Sequence, residues 1–176
     1  MAENETPAAP ETGTNSSAAA ARQPTVRILA QYVKDLSFEN PGNAGVKAQP
    51  NIDLGIDVGA APHPDGNGIY EVSIRFSAEA KAGESVLFIL ELDYAGLFQF
   101  DIQDQAIAEQ VLFIECPRML FPFARRIIAD LSRDGGFPPL MVDPVDFVAL
   151  YQQQKSRQAA AQQAAPAPAP AEGPQG

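Results

Sequence analysis

Four runs of alternating residues, followed near Gly96 by a change to helical spacing, constrain this chain more than any other feature. A period of two puts one set of side chains on a core face and the other toward solvent. In the first run, residues 26–38, the even positions Val26, Ile28, Ala30, Tyr32, Leu36 and Phe38 are apolar, whereas Arg27, Gln31, Asp35 and Ser37 are polar. Leu29 and Val33 are exceptions, and Lys34 breaks the apolar set, which predicts a bulge or a bend near it. In the second run Ile52, Leu54, Ile56 and Val58 alternate with Asp53, Gly55 and Asp57. The third is the cleanest, with Tyr70, Val72, Ile74, Phe76 and Ala78 set against Glu71, Ser73, Arg75, Ser77 and Glu79. In the fourth, Val86, Phe88, Leu90, Leu92 and Tyr94 share one face, while Leu87, Ile89, Glu91 and Asp93 share the other.

Turn residues separate these runs. Pro41, Gly42, Gly45 and Pro50 mark a connection too long for a tight hairpin, so it must cross over something. His63 to Gly68 is dense in turn formers, and the sequence KAGE supplies a hairpin in which Gly83 is free to take positive φ. Beyond Gly96, residues 104–116 fit a helix with Ile107, Val111, Leu112 and Ile114 toward a core. Pro117 is expected to interrupt it. A main helix then runs to about Arg133, with Leu120, Phe123, Ile127, Ile128 and Leu131 as its apolar stripe. Gly135 and Gly136 end it. A last helix is expected to open at Asp143 as N-cap with Pro144 next, presenting Phe147, Leu150 and Tyr151.

Strands followed by helices give an α+β fold: a four-stranded antiparallel sheet with helices packed on one face. The fourth run does not fit that plan alone, because both of its faces carry apolar side chains. Either the chain holds a further layer or subunits associate. No spare layer is visible in the sequence, which favours a homo-oligomer.

The ends differ from the middle. Residues 1–23 are built largely from Ala, Thr, Ser, Pro, Asn and Glu, and 158–176 are rich in Ala, Pro and Gln, with a helical extension expected at their start. Neither has the apolar area to offset the entropy of ordering. Residues 24–157 form the expected domain. The net charge of −10 comes from 22 acidic against 12 basic residues and disfavours nucleic-acid binding. It suits a partner with a basic patch, or simply keeps an apolar protein dispersed. With Cys116 the single cysteine, no intramolecular disulfide exists. No run is long enough to span a bilayer, and the N-terminus reads as no secretory signal, so a cytoplasmic protein without membrane insertion is expected.

Chemistry-bearing side chains are scarce. Cys116 is the one thiol and His63 the one imidazole, and a small core-facing cysteine with a loop histidine explains both. No zinc or calcium spacing and no phosphate-binding glycine loop occurs, so no catalytic residue, metal or cofactor is expected. Arg125 and Arg126 invite a phosphate, but Asp130 and Asp134 are spaced for local ion pairs with Arg126 and Arg133. Asp35, Glu39, Glu91 and Asp93, beside Ile89, read either as a solvated face or as a flat acidic docking surface with an apolar anchor.

The strings YVKDLSFENP at Tyr32–Pro41, YEV at Tyr70, GE at Gly83 and CPRMLFPFARRIIADLSRDGGFPPLMVDPVDFVALY at Cys116–Tyr151 closely resemble the SecB family of protein-export chaperones over about residues 24–155. The resemblance implies an ATP-independent holdase, assembled as a dimer of dimers, that passes unfolded preproteins to the SecA motor. Carried over by motif, SecA docking falls on Asp35, Glu39, Ile89 and Glu91. A client groove falls on Ile52, Leu54, Ile56, Phe147, Leu150 and Tyr151. Leu90, Leu92 and Tyr94 would face the helical layer and subunit contacts. Val46 is the one sizeable apolar side chain of the crossover, which departs from relatives with aromatics there. A chaperone of the same fold dedicated to another client, such as a toxin–antitoxin system, is the alternative.

Overall fold

The computed structural model describes residues 26–42 and 50–164. The N-terminal tail, the crossover around Val46 and the end of the C-terminal tail lie outside the described residues. Strands β1 (Arg27–Glu39), β2 (Asn51–Pro62), β3 (Ile69–Ala82) and β4 (Ser85–Gln99) form one antiparallel sheet in the order β1-β4-β3-β2. β1 and β2 are therefore the two edges, so the connection between them joins opposite sides of the sheet. That accounts for its length. The β3–β4 turn is Gly83–Glu84, and Gly83 takes φ 63°, a left-handed conformation that glycine adopts without steric cost.

Register confirms the alternation of β2, β3 and β4 but divides β1. Leu36 and Phe38 pair with Leu92 and Leu90 on the helix side, whereas Tyr32 and Ala30 pair with Ala95 and Leu97 on the opposite, open side. The register slips between Val33 and Asp35, so the bulge at Lys34 is real. A second slip lies between Ile28 and Ala30. Each extra residue reverses which parity faces the core, so the even positions of β1 do not share one face.

The helical layer begins at α1 (Gln105–Gln110), capped by Asp104, whose carboxylate accepts from the Ala106 and Ile107 amides. Pro117 does not interrupt the chain's helical path. A π-helical turn over Val111–Glu115 leads directly into α2 (Cys116–Asp134), with the Cys116 amide donating to the Val111 carbonyl five residues back. Proline near the start of α2 sits where its missing N–H costs little, and the wider π turn leads the backbone into it. α2 ends at the expected glycines: Gly136 has φ 89°. Ser132, buried in its last turn, donates to the Ile128 carbonyl and accepts from the Leu140 amide at 2.7 Å, tying down the irregular segment that follows.

The last helix starts later than expected. α3 spans Phe147–Ala164, and its cap is Asp146, whose carboxylate accepts from the Val148 and Ala149 amides at 3.0 Å. Asp143 and Pro144 belong to the irregular stretch, which is pinned by buried Val142 and by the Arg125 guanidinium donating to the Val142 carbonyl. α3 also continues past residue 157, as the helical extension at the start of the tail.

The core lies between the sheet and α2. Phe76, Leu90, Leu92 and Phe98 from the strands meet Leu120, Ala124 and Ile128 from the helix. Gly96 allows the close approach: a Cβ there would come within 2.8 Å of a Leu120 methyl and 2.9 Å of the Phe98 ring. α2 lies over β3 and β4 and meets β1 at its C-terminal end, where Gly135 packs against Phe38 and its carbonyl accepts from the Asn40 side chain.

Candidate functional site

The open face of the sheet is acidic. Asp35 pairs with Asp93, Ser37 with Glu91 and Glu39 with Ile89, so Asp35, Glu39, Ile89 and Glu91 occupy adjoining positions on two neighbouring strands. Pairing is what converts residues fifty or more positions apart in sequence into one strip. Asp35, Glu39 and Glu91 are exposed and Ile89 is half-buried. Arg75 lies in the middle of this face, donating from Nε to Asp93 Oδ2 at 3.3 Å. At one end, the Glu71 carboxylate accepts from Lys34 Nζ at 2.6 Å and from the Tyr32 hydroxyl. Those two donors hold the Glu71 carboxyl below its usual range, and in return the Tyr32 phenol is pushed up to about 12. The bulge at Lys34 makes this tie possible by turning the lysine onto the open face.

A second feature runs between the β2 edge and α3. Leu54, Ile56 and Leu150 line an open groove of about 740 Å³ together with Val145 and Ala149. Gln154 closes one end by donating to Asp57 and to the Val58 carbonyl. Ile52 is half-buried against the core. Phe147 differs from the groove position expected for it: at 2% exposure it packs edge-on against Phe121 and supports the groove from beneath. Tyr151 turns into a neighbouring cleft of about 130 Å³, where it stacks on Phe113 and donates to Glu109 at 2.7 Å. The same carboxylate accepts from Lys155, and both donors hold it below its usual range.

Leu90, Leu92 and Tyr94, expected at the helical layer and at subunit contacts, do face the helical layer. With exposures of 0%, 2% and 8%, they have almost no area left for another chain. The apolar surface is elsewhere. Val33 (42% exposed) and Leu36 (39%) lie on the helix side of β1, where no helix covers them, and Phe123 (47%) and Met119 project from α2. Sequence reasoning missed this patch because it depends on where α2 crosses the sheet, which periodicity does not encode.

Cys116, the one thiol, is buried. Burial pushes the Cys116 thiol up to about 12, with Glu115 adding to the effect, so the thiolate nucleophile is suppressed. His63 sits in the β2–β3 turn, where its Nδ1 accepts from the Asp65 amide at 3.4 Å. Arg126 pairs with Asp130 at 3.4 Å, and Arg133 with Asp130 at 2.9 Å, as spaced for local ion pairs. Among the described residues, no cluster of His, Cys, Asp and Glu is placed to hold a metal. No helix among the described residues is long and apolar enough to cross a membrane.

Comparison with known proteins shows the family. The family model described as preprotein translocase subunit SecB matches residues 19–158. A protein-export protein SecB of Hyphomonas neptunium is 67% identical over 139 residues, covering 79% of this chain and 84% of that protein. That of Maricaulis maris is 55% identical over 148 residues, covering 81% and 84%. Among solved structures, a SecB-like chaperone of Mycobacterium tuberculosis, in complex with a peptide from an antitoxin, aligns with TM-score 0.57 at 14% identity, covering 69% of this chain and 88% of that one. At that identity the likeness speaks for the fold alone. From the family match and the extent of identity, the chain belongs to the SecB family of protein-export chaperones.

Proposed function

We propose that this chaperone works in the cytoplasm as a dimer of dimers, holds unfolded preproteins in the β2–α3 groove, and docks SecA on its acidic sheet face. The observation that carries the reading is the apolar surface left uncovered on a folded chain: Val33, Leu36, Met119 and Phe123 on one side, the groove on another. Exposed apolar area gathered on one strand face, as at Val33 and Leu36, marks an interaction site. The β1 and α2 residues suit self-association, because one subunit gives them no cover. The groove suits an extended chain. An unfolded preprotein exposes apolar segments that its folded form hides, and burial returns about 25 cal/mol per Å² before ordering costs. Leu54, Ile56 and Leu150 would provide that contact, with Ile52, Phe147 and Tyr151 shaping its surroundings. Several grooves in one assembly would add avidity.

The strip of Asp35, Glu39 and Glu91 around Ile89 fits a basic segment of SecA by charge and by its single apolar anchor. Glu91→Lys is expected to weaken SecA binding roughly tenfold, with wild-type binding weakening as salt is added. Titration calorimetry at two ionic strengths checks both; equal affinities throughout would remove the docking role. The holdase itself is tested by light scattering of a denatured preprotein diluted into excess chaperone without nucleotide. Suppressed aggregation is expected, and full aggregation would refute the reading. Service to a toxin–antitoxin client would appear instead as an antitoxin co-purifying from cells in place of preproteins.

A further inference from the structure

The open face carries a cross-strand row of charge: Asp57 on β2 pairs with Arg75 on β3, Arg75 with Asp93 on β4, and Asp93 with Asp35 on β1. Like charges directly opposite one another destabilise a sheet, so the Asp93–Asp35 pair needs a cation nearby. Arg75 supplies it incompletely. Its Nε reaches only Asp93 Oδ2, while Oδ1 is buried without a hydrogen-bond partner. Arg75 itself is 60% exposed, so the contact with Asp93 is open to solvent and to competition. Asp35 and Glu91, two of the proposed docking residues, line the same open hollow of about 520 Å³ as Arg75 and Asp93.

We propose that Arg75 is a built-in competitor that sets how tightly, and how selectively, the acidic face holds a basic partner. The inference deepens the docking proposal and rests on it for the identity of that partner. A lysine or arginine entering the hollow meets a guanidinium already facing the carboxylate it would use. Exposed ion pairs of this type contribute about 0–1 kcal/mol, so Arg75 is displaced readily. A partner bringing one cation gains little by exchange. One bringing several, presented together, displaces Arg75 and still engages Asp35 and Glu91. Arg75 thereby favours a strongly basic segment over the scattered lysines of other proteins.

The test uses the full-length chain and its Arg75→Gln and Arg75→Lys variants, with two probes: a basic segment of the cognate SecA and a tetralysine peptide. Arg75→Gln should bind tetralysine about two- to fivefold more tightly than wild type at low salt, a gain that closes as ionic strength rises. Arg75→Lys should restore the wild-type affinity, because the competitor is the charge. Oligomer mass and melting temperature should stay unchanged, as expected for an exposed side chain. Unchanged or weaker tetralysine binding by Arg75→Gln overturns the role of Arg75, whatever SecA does. Failure of wild type to bind the SecA segment, with the tetralysine gain intact, overturns the docking proposal and leaves Arg75 as a brake on basic ligands in general.

Discussion

Leu120→Ala is expected to cost about 2–5 kcal/mol of stability, the range for truncating a fully buried leucine that leaves a cavity. Leu120 is 0% exposed and lies over Gly96, where strand and helix approach most closely. Neither side can collapse to fill the space: the sheet is fixed by its ladders and α2 by its own turns. A loss of this size is a large share of the roughly 5–15 kcal/mol that holds a domain folded. Urea denaturation of the variant should show a lower midpoint. Met141→Ala, at a side chain more than half exposed, serves as the control and should stay within about 0.5 kcal/mol of wild type. Equal losses at the two positions would contradict the core described for this sheet and helix.

Leu36→Glu should leave the subunit folded and break the assembly. Leu36 faces the helix side of β1 beyond the reach of α2, so within one chain a glutamate there remains hydrated. In an assembly that covers this patch, the same carboxylate would be stripped of water with no cation to meet it. The cost is on the order of 3 kcal/mol per interface, roughly a hundredfold in dissociation constant. Sedimentation at micromolar concentration should therefore show smaller species for the variant, with a circular dichroism spectrum like wild type. Retention of the wild-type size would remove β1 from the interface.

Several elements are legible in the sequence because their signals are local. The alternation of Tyr70 to Ala78 fixed which residues of β3 face the helix, and Gly83 and Gly136 marked the turns that need positive φ. The misplaced features share a different cause. The even positions of β1 change faces because two register slips intervene: Lys34 marks one, and Leu29, an apolar residue at an odd position, lies at the other. Pro117 looked like a break, yet a π turn carries the helix past it. Asp143 and Asp146 offer the same carboxylate to a helix start, and it is the pinned path through Val142 that decides for Asp146. Within the candidate sites, the acidic strip could be read from motif and alternation together. The depth of Phe147 and of Leu90 depends on tertiary packing, so an apolar residue at the right spacing could equally line a groove or floor it.

The central claim is that one folded subunit retains apolar surface, used first for its own copies and then for unfolded chains. Native mass spectrometry, with and without a denatured preprotein, tests it most directly. The account predicts a tetramer that takes up the preprotein as a discrete complex without nucleotide. A monomer that ignores the denatured chain would contradict it.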